Sequence, residues 1–423
     1  MALVIWRVDE VLAIFERISR MCMVGKEGDA RRDAPRMQAG CHRCVMVRFH
    51  AIGTSPETID TGQTIVCGFA PESVHAFLHE PSREAVMSDS RQHQKYDALI
   101  ARCRTVRPVT VAVVHPCDEV SLRAAVDAAQ ARIITPVLVG PAARIAALAA
   151  TIGVDVSGFR LVDAPHSHAA AALAVALVRA GDAQALMKGS LHTDELLEEV
   201  VRPDTGLRTQ RRLSHVFIMD VPTYYKPLFI TDAAVNIRPT LEQKADIAQN
   251  AIDLAHALGI AQPKVAILSA VETVSSKLPS TVDAAALCKM AERGQITGAL
   301  LDGPLALDNA ISPEAARLKH LSSAVAGDAD ILLAPDLEAG NMLAKELTFL
   351  ANADAAGIVL GARVPVILTS RADNERTRLA SCAIAALVAD AARGAGVPAA
   401  VVSPASAEAA EAAVLASAQA VSR

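Results

Sequence analysis

The stretch from residue 328 to residue 371 constrains the fold more than any other part of the chain. Residues 331–334 form a short apolar run, residues 364–369 form a second, and helix-forming residues lie between them from 342 to about 352. This order predicts a strand, a helix and a second strand of an α/β sheet. Each apolar run stops at a polar loop, and an open α/β sheet binds its ligands at the carboxyl ends of its strands.

Both polar loops carry side chains that suit a phosphate-bearing ligand. The first, PDLEAGN, offers a carboxylate, an amide and a glycine that lets a ligand approach the backbone, and the second, SRAD, offers a hydroxyl, a guanidinium and a carboxylate. A guanidinium beside a hydroxyl, close to a helix start, suits a phosphate or an acyl phosphate. The candidate residues are Asp336, Gly340 and Asn341 in the first loop and Ser370, Arg371 and Asp373 in the second.

Apolar runs alternate with helical segments from about residue 95 onwards, which predicts a mostly parallel sheet with helices on its faces. We expect strands at 110–114, 135–139, 159–162, 185–187, 216–219, 264–268 and 298–301. Polar residues lie at or near the ends of several strands, and we expect them to meet at one edge of the sheet in an anion-binding pocket. These residues are Lys188, Gly189, Arg208, Thr209, Asp302, Gly303 and Pro304.

Several of these residues also have a structural interpretation. Lys188 could be a surface charge, and Asp302 could close a turn. Asp336 and Asn341 could hold their own loop together. The residues alone leave both interpretations open.

Composition argues against several classes of function. A net charge of −5 does not suit a general nucleic-acid-binding protein. No run reaches the roughly 18 uninterrupted apolar residues that a membrane-spanning helix needs. The chain has no GxxxxGK[ST] loop and no GxGxxG after a strand. Its first twenty residues lack a clear signal-peptide cleavage site, so we expect the protein in the cytoplasm.

Residues 1–94 read as a poorly defined N-terminal extension. They hold four of the eight cysteines, and Cys41 and Cys44 have the spacing of a metal-ligand pair. Structural zinc normally needs four ligands, and a second such pair is missing. We therefore expect unpaired thiols and no metal site.

From about residue 96 to residue 402 the chain resembles the phosphate acetyl/butyryl transferases. The motifs that carry the resemblance are MKG at 187–189, GLRT at 206–209, TDAAVN at 231–236, VAILSAVET at 265–273, DGPLALDNAI at 302–311, AVAG at 324–327, PDLEAGN at 335–341 and SRAD at 370–373. Within this family the chain is most similar to the transferase half of bifunctional proteins that begin with a MaoC-like enoyl-CoA hydratase. Residues 1–90 are too short for an intact hydratase domain, so we expect no hydratase activity.

The resemblance implies two αβα sandwich domains with a cleft between them, similar to the isocitrate and isopropylmalate dehydrogenases. The first would comprise residues 95–220 and 358–423, and the second would be the inserted residues 221–357. The family resemblance also implies a homodimer without a metal or a bound cofactor.

The implied reaction transfers an acetyl group between coenzyme A (CoA) and phosphate by direct attack of the thiol on acetyl phosphate in a ternary complex. Ser370 would stabilise the tetrahedral intermediate or the leaving phosphate, and Arg371 would bind the phosphoryl oxygens. The aspartate that follows the serine by seven residues in the acetyltransferases is Thr377 here. Asp373 is therefore our first candidate for the general base, and Asp308 is the second.

Three alternatives remain open. The AAHSS segment of the acetyltransferases is missing, and the MKG and GLRT motifs look more like the butyryl branch, so a phosphate butyryltransferase is possible. A non-catalytic sensor of CoA or acyl phosphate is a second alternative, because of Thr377. A metal- and NAD(P)-dependent dehydrogenase of related fold is a third, although the aspartate cluster and the arginine trio that it would need are not evident in the sequence.

Overall fold

The computed structural model describes residues 94–368 and 373–394, and one large mixed sheet runs through these residues. The α/β class expected from the sequence is confirmed. The expectations for residues 1–93, including those for the cysteine pair and the hydratase domain, fall outside the described residues. The division into two domains stays a prediction.

Eleven strands and eleven helices occur in the described part of the chain. The strands are β1 (Val109–Val114), β2 (Ile134–Gly140), β3 (Arg160–Asp163), β4 (Ala185–Lys188), β5 (Ser214–Asp220), β6 (Leu228–Thr231), β7 (Lys264–Leu268), β8 (Leu300–Leu305), β9 (Ile331–Leu333), β10 (Asp354–Leu360) and β11 (Val366–Ile367). The helices are α1 (Gln94–Cys103), α2 (Glu119–Gln130), α3 (Ala142–Ile152), α4 (Ser167–Ala180), α5 (Thr193–Val201), α6 (Leu241–Ala257), α7 (Pro279–Glu292), α8 (Leu307–Ile311), α9 (Pro313–Leu318), α10 (Leu337–Leu350) and α11 (Glu375–Gly394).

Two groups of parallel strands run in opposite directions within the sheet. The strand order is β3-β2-β1-β4-β11-β10-β5-β6-β9-β7-β8. Strands β1 to β4 and β11 are parallel to one another, and β6, β9, β7 and β8 form a second parallel group. Strand β10 is antiparallel to both β11 and β5, and β5 is antiparallel to β6. Between β11 and β6 the strand direction therefore reverses three times.

This reversal places the loops of the two groups at opposite edges of the sheet. We call the edge at the carboxyl ends of β1, β4 and β11 the β4 edge, and the edge at the carboxyl ends of β6, β9, β7 and β8 the β6 edge. The expectation that all candidate loops meet at one edge is wrong. The reason is local, since the short connection between β5 and β6 forms an antiparallel pair and turns the chain back.

Two strands differ from the sequence-based expectation. Strand β10 was not expected, although residues 357–360 are apolar and buried. Strand β8 begins at Leu300 and continues through Asp302, Gly303 and Pro304 to Leu305, whereas we expected it to end before Asp302. Both segments contain an aspartate and a glycine, which are uncommon in strands and mask the pattern.

The sheet core consists of Val, Ile, Leu and Ala, as a parallel sheet covered on both faces requires. All residues of β1 except Thr110 are fully buried. Helix α4 contributes a row of buried alanines and is capped by His166, whose side chain accepts a hydrogen bond from the backbone N–H of Ala169. None of the helices in the described ranges is long and apolar enough to cross a bilayer.

Candidate functional site

The chain reverses its winding direction between β1 and β4, and the loops that follow these two strands meet at the β4 edge. From β1 the chain moves outward to β2 and β3, and then returns to place β4 on the other side of β1. Such a switch point opens a crevice outside the carboxyl ends of the strands, where ligands of α/β sheets bind. The crevice is bordered by residues 115–117 after β1 and residues 188–191 at the end of β4.

Lys188 and Gly189 lie at this crevice. The Lys188 ammonium donates hydrogen bonds to the carbonyl oxygens of Gly189 and Leu191, at 3.2 Å and 3.1 Å. A Cβ atom on Gly189 would lie 2.3 Å from the carbonyl oxygen of Val114, so only glycine fits there. Both residues lie at the switch point, and their role in binding substrate stays a prediction.

Strand β11 borders β4 on the side opposite to β1 and leads to the SRAD loop. Ser370 and Arg371 follow its last residue, Ile367, and lie outside the described residues. Neighbouring strands are about 4.8 Å apart, so the chain leaves β11 close to the loop of β4. The described chain therefore leaves β11 at the same edge of the sheet as the loop that follows β4.

Asp373 lies between β11 and α11 and is partly buried, and its backbone carbonyl accepts a hydrogen bond from Arg378. Thr377 lies in the first turn of α11 and is only 4% exposed. Its N–H donates to the side-chain oxygen of Asn374 at 2.8 Å. A threonine hydroxyl offers no carboxylate that could accept a proton at this position.

The PDLEAGN loop lies at the β6 edge and is closely bound to the segment that follows β6. Asn341 donates to the carbonyl of Ala233 at 2.9 Å, and a Cβ atom on Gly340 would lie 2.5 Å from the carbonyl oxygen of Asp232. Asp336 caps α10 by accepting a hydrogen bond from Ala339 N–H. These contacts favour the interpretation in which Asp336 and Asn341 hold their loop.

Asp232 organises the TDAAVN segment and was missed as a candidate. Its buried carboxylate accepts hydrogen bonds from the backbone N–H groups of Ala234, Val235 and Asn236, and from the Asn236 side chain. Aspartate followed by small residues is a turn signal that could have identified it. Nearby, burial holds the pKa of His215 well below its usual value, although the charge of Asp232 opposes that shift.

The DGPLALDNAI motif lies on the outermost strand, far along the sheet from β4. The Asp302 carboxylate accepts a hydrogen bond from the N–H of Gly303 at 2.8 Å. Both residues lie within β8, so Asp302 does not close a turn. Gly303 packs against Ile267, and Pro304 follows it within β8. Asp308 is exposed on α8 at the β6 edge.

Arg208 and Thr209 precede β5, beside the carboxyl end of β10, and therefore lie towards the β6 edge. Thr209 donates a hydrogen bond to the carbonyl of Gly361 at 2.6 Å. Arg208 lines a cavity of about 630 Å³ together with Arg211 and Arg212. Three guanidinium groups on one cavity favour an anionic ligand, although two acidic residues of α5 also line it.

His115 and Ser190 also lie in the loops at the β4 edge, and His115 was missed as a candidate. His115 is 8% exposed, and burial, with a smaller contribution from the nearby positive charge of Arg144, lowers its pKa. Its only sequence signal is the polar His-Pro pair that ends a strand. Within the described residues, no group of three or more His, Cys, Asp or Glu side chains could hold a metal ion.

Comparison with known proteins gives consistent results. The family model for phosphate acetyl/butyryl transferases matches residues 166–386. A phosphate acetyltransferase of Rhizobium meliloti is 65% identical over 308 residues, which are 73% of this chain and 98% of that protein. A phosphate butyryltransferase of Clostridium acetobutylicum is 44% identical over 296 residues, or 70% of this chain and 98% of that protein.

Solved structures agree with these sequence matches. The crystal structure of a branched-chain phosphotransacylase from Enterococcus faecalis is 32% identical, has a TM-score of 0.58, and covers 66% of this chain and 99% of its own. A phosphotransacetylase from Streptococcus pyogenes shares the fold with a TM-score of 0.61 at 24% identity, over 70% of this chain and 99% of its own.

Proposed function

Because this chain belongs to the phosphate acetyl/butyryl transferase family, we propose that it is a phosphate acetyltransferase. It transfers an acetyl group reversibly between CoA and inorganic phosphate. The observation that carries this proposal is the match over nearly the whole length of the Rhizobium meliloti enzyme. CoA, phosphate and acetyl phosphate are its substrates, and no bound cofactor or metal takes part.

The reaction proceeds by direct attack of the CoA thiol on acetyl phosphate. A thiol with a pKa near about 8.5 is mostly protonated at neutral pH, so a base that accepts its proton speeds the attack. The carbon–sulfur bond forms and the carbonyl oxygen becomes an oxyanion. The carbon–oxygen bond to phosphate then breaks, and phosphate leaves with the electron pair.

Three residues of the SRAD loop perform this chemistry. Ser370 donates a hydrogen bond to the oxyanion or the leaving phosphate, and Arg371 binds the phosphoryl oxygens with two N–H groups. Asp373 accepts the thiol proton. Its place after β11 supports this choice over Asp308, which lies at the opposite edge of the sheet.

The other candidates bind substrate. Lys188 and Gly189 bind the phosphoryl group of acetyl phosphate at the switch point. Arg208 and Thr209 bind phosphate groups of CoA, and the cavity with three arginines supports this role. The remaining substrate-binding candidates are Asp302, Gly303 and Pro304 in β8 and Gly340 in α10, whereas Asp336 and Asn341 hold their own loop.

We also propose that the protein is a cytoplasmic homodimer organised as two domains, with residues 221–357 inserted between 95–220 and 358–423. The sheet order supports the division, because all the strands of the β6 group come from the inserted segment. Measuring the mass of the protein in solution tests the dimer.

The first prediction concerns Arg371. Replacing Arg371 with Ala removes a donor that stabilises the transition state, so kcat for CoA-dependent phosphate release from acetyl phosphate should fall about 100- to 1,000-fold. Arg376→Ala is the matched control, because Arg376 forms an exposed ion pair with Asp97. Near-normal turnover of Arg371→Ala would contradict the site assignment. If the wild-type protein binds CoA but shows no turnover, it is a sensor rather than an enzyme.

The alternative function is a phosphate butyryltransferase, favoured by the MKG and GLRT motifs. Initial rates with acetyl-CoA, propionyl-CoA and butyryl-CoA in the presence of phosphate separate the two. A kcat/KM that rises with chain length would select the butyryl alternative.

A further inference from the structure

Ser190 connects the loop after β4 to the loop after β1 through its hydroxyl group. The hydroxyl oxygen lies 2.9 Å from the carbonyl oxygen of His115, 3.2 Å from the N–H nitrogen of Cys117 and 3.2 Å from Nδ1 of His115. A hydroxyl has one proton to donate and two lone pairs. The carbonyl of His115 also accepts hydrogen bonds from the N–H groups of Cys117 and Ser190, at 2.8 Å and 2.9 Å. The hydroxyl proton therefore has two acceptors within reach, that carbonyl and Nδ1 of His115.

Whichever of the two atoms carries the proton, the contact between Ser190 Oγ and His115 Nδ1 connects the imidazole ring to the loop after β4. The Cδ2 atom of the ring lies 3.8 Å from the position that a Cβ atom on Gly140 would take, so the ring is held between the ends of β2 and β4. Burial lowers the pKa of His115, which keeps the ring neutral near pH 7.

The backbone of His115 adopts a conformation that side chains other than Gly, Asn and Asp rarely take. Its φ angle is 53°, in the left-handed region. The conformation is held by hydrogen bonds on both sides, from the N–H of His115 to Val139 and from the N–H of Ser190 to the carbonyl of His115. Strained residues that are held in this way concentrate at functional sites.

We propose that His115 and Ser190 are positioning residues for Lys188 in the acyl-transfer site. Lys188 places its ammonium group over the loop carbonyls of Gly189 and Leu191. Ser190 lies between those two residues and is bound to the β1 loop. The pair therefore sets where the ammonium group lies at the crevice, and through it the affinity for the phosphoryl group of the substrate. This inference rests on the proposed function.

Two variants at His115 separate the effect of its backbone conformation from the effect of its side chain. His115→Gly keeps the left-handed backbone and removes the ring, whereas His115→Asn keeps the backbone preference and a side chain that can form a hydrogen bond with Ser190. We expect His115→Gly and Ser190→Ala to raise KM for acetyl phosphate about tenfold with kcat changed less than about threefold. His115→Asn should stay within about threefold of the wild type.

His320→Gly is the matched control. His320 also has a left-handed backbone, with φ 57°, but it is exposed and follows α9, away from the crevice. If His320→Gly raises KM as much as His115→Gly, a general loosening of the protein explains the effect and the proposal is wrong. Thermal unfolding midpoints of all variants, recorded alongside, show which of them remain folded.

A double-mutant cycle with Lys188→Ala decides whether the pair acts through Lys188. If it does, adding Ser190→Ala or His115→Gly to Lys188→Ala should raise KM no further. Fully additive effects would overturn the proposal, as would an unchanged KM in Ser190→Ala.

Calorimetric titration with inorganic phosphate measures the phosphate affinity of the wild type and of the same variants, and it does not depend on turnover. If the wild type binds phosphate but transfers no acetyl group, the proposed function is wrong. The phosphate affinities of the same variants then still decide the role of the pair. If the folded wild type binds no phosphate at all, the positioning role is overturned.

Discussion

At the scale of single residues, the choice between two aspartates determines where the proton of the thiol goes. Asp373 is partly buried between β11 and α11, whereas Asp308 is exposed on α8 at the other edge of the sheet. A base has to come within hydrogen-bonding distance of the proton that it accepts. Asp373 is therefore better placed than Asp308 to serve as the base of a site built on the SRAD loop.

We predict that Asp373→Asn lowers kcat for acetyl transfer about 100-fold or more, because removing a general base typically has an effect of this size. Asp308→Asn is the control and should leave kcat within about threefold. Both substitutions keep the shape of the side chain. Steady-state rates over a range of pH test this, and the opposite ranking of the two variants would show that the base lies at the β6 edge.

Residue-level roles could be predicted from the sequence only in part. Lys188 and Gly189 were identified because they end an apolar run, and the structure places them at a switch point. The contact between His115 and Ser190 was missed because it joins two loops 75 residues apart. Asp336 and Asn341 were identified, but their contacts are structural, and a polar residue in a loop looks the same in either role.

At the scale of elements, the contact between α10 and the segment after β6 depends on a glycine within the helix. Alanine usually stabilises a helix interior relative to glycine, by about 1 kcal/mol. At Gly340, however, an added Cβ would lie 2.5 Å from the carbonyl oxygen of Asp232 and 3.1 Å from the Cβ of Ala334. The close approach of two backbones therefore outweighs helix propensity.

Gly340→Ala should destabilise the protein by about 1–3 kcal/mol, as overpacking of a tight contact does. Gly158→Ala is the matched control, because nothing lies within 4 Å of the added Cβ and the φ angle of Gly158 is not in the left-handed region. Urea denaturation gives the free energy of unfolding for both. A Gly340→Ala variant as stable as the wild type would show that α10 shifts without cost.

Apolar runs identified most strands to within one or two residues. Strand direction was harder to predict. Periodicity reports which residues are buried, but it carries no information about which strand lies beside which. The pairing of β5 with β10 joins residues 134 or more positions apart in the sequence, and β10 itself was missed.

At the scale of the whole molecule, Tyr96 on α1 connects two strands, β5 and β10, in the middle of the sheet. Its ring is 1% exposed. Its hydroxyl lies within hydrogen-bonding distance of the carbonyl oxygens of Ile218 in β5 and Asp354 in β10, and it also accepts a bond from Ala356 N–H. Burial raises the pKa of Tyr96 well above its usual value. One phenol thus joins the two strands between the opposed groups.

Tyr96→Phe should lower the free energy of unfolding by about 1–3 kcal/mol, because it leaves buried backbone groups of both strands without this partner. Tyr225→Phe serves as the control, since the Tyr225 side chain is 71% exposed. Chemical denaturation followed by circular dichroism measures both. Equal stability of the two variants would show that Tyr96 contributes only through its ring.

The position of β11 between β4 and β10 affects the order in which strands can pair while the protein is being synthesised. Strand β4 acquires its second neighbour only after the ribosome has added residues 366 and 367, when the first parallel strands have long been synthesised. Until then the growing polypeptide carries an unpaired, apolar strand, which is the kind of surface that nucleates aggregation. Translation that stops before this point would leave a product that depends on chaperones to stay in solution.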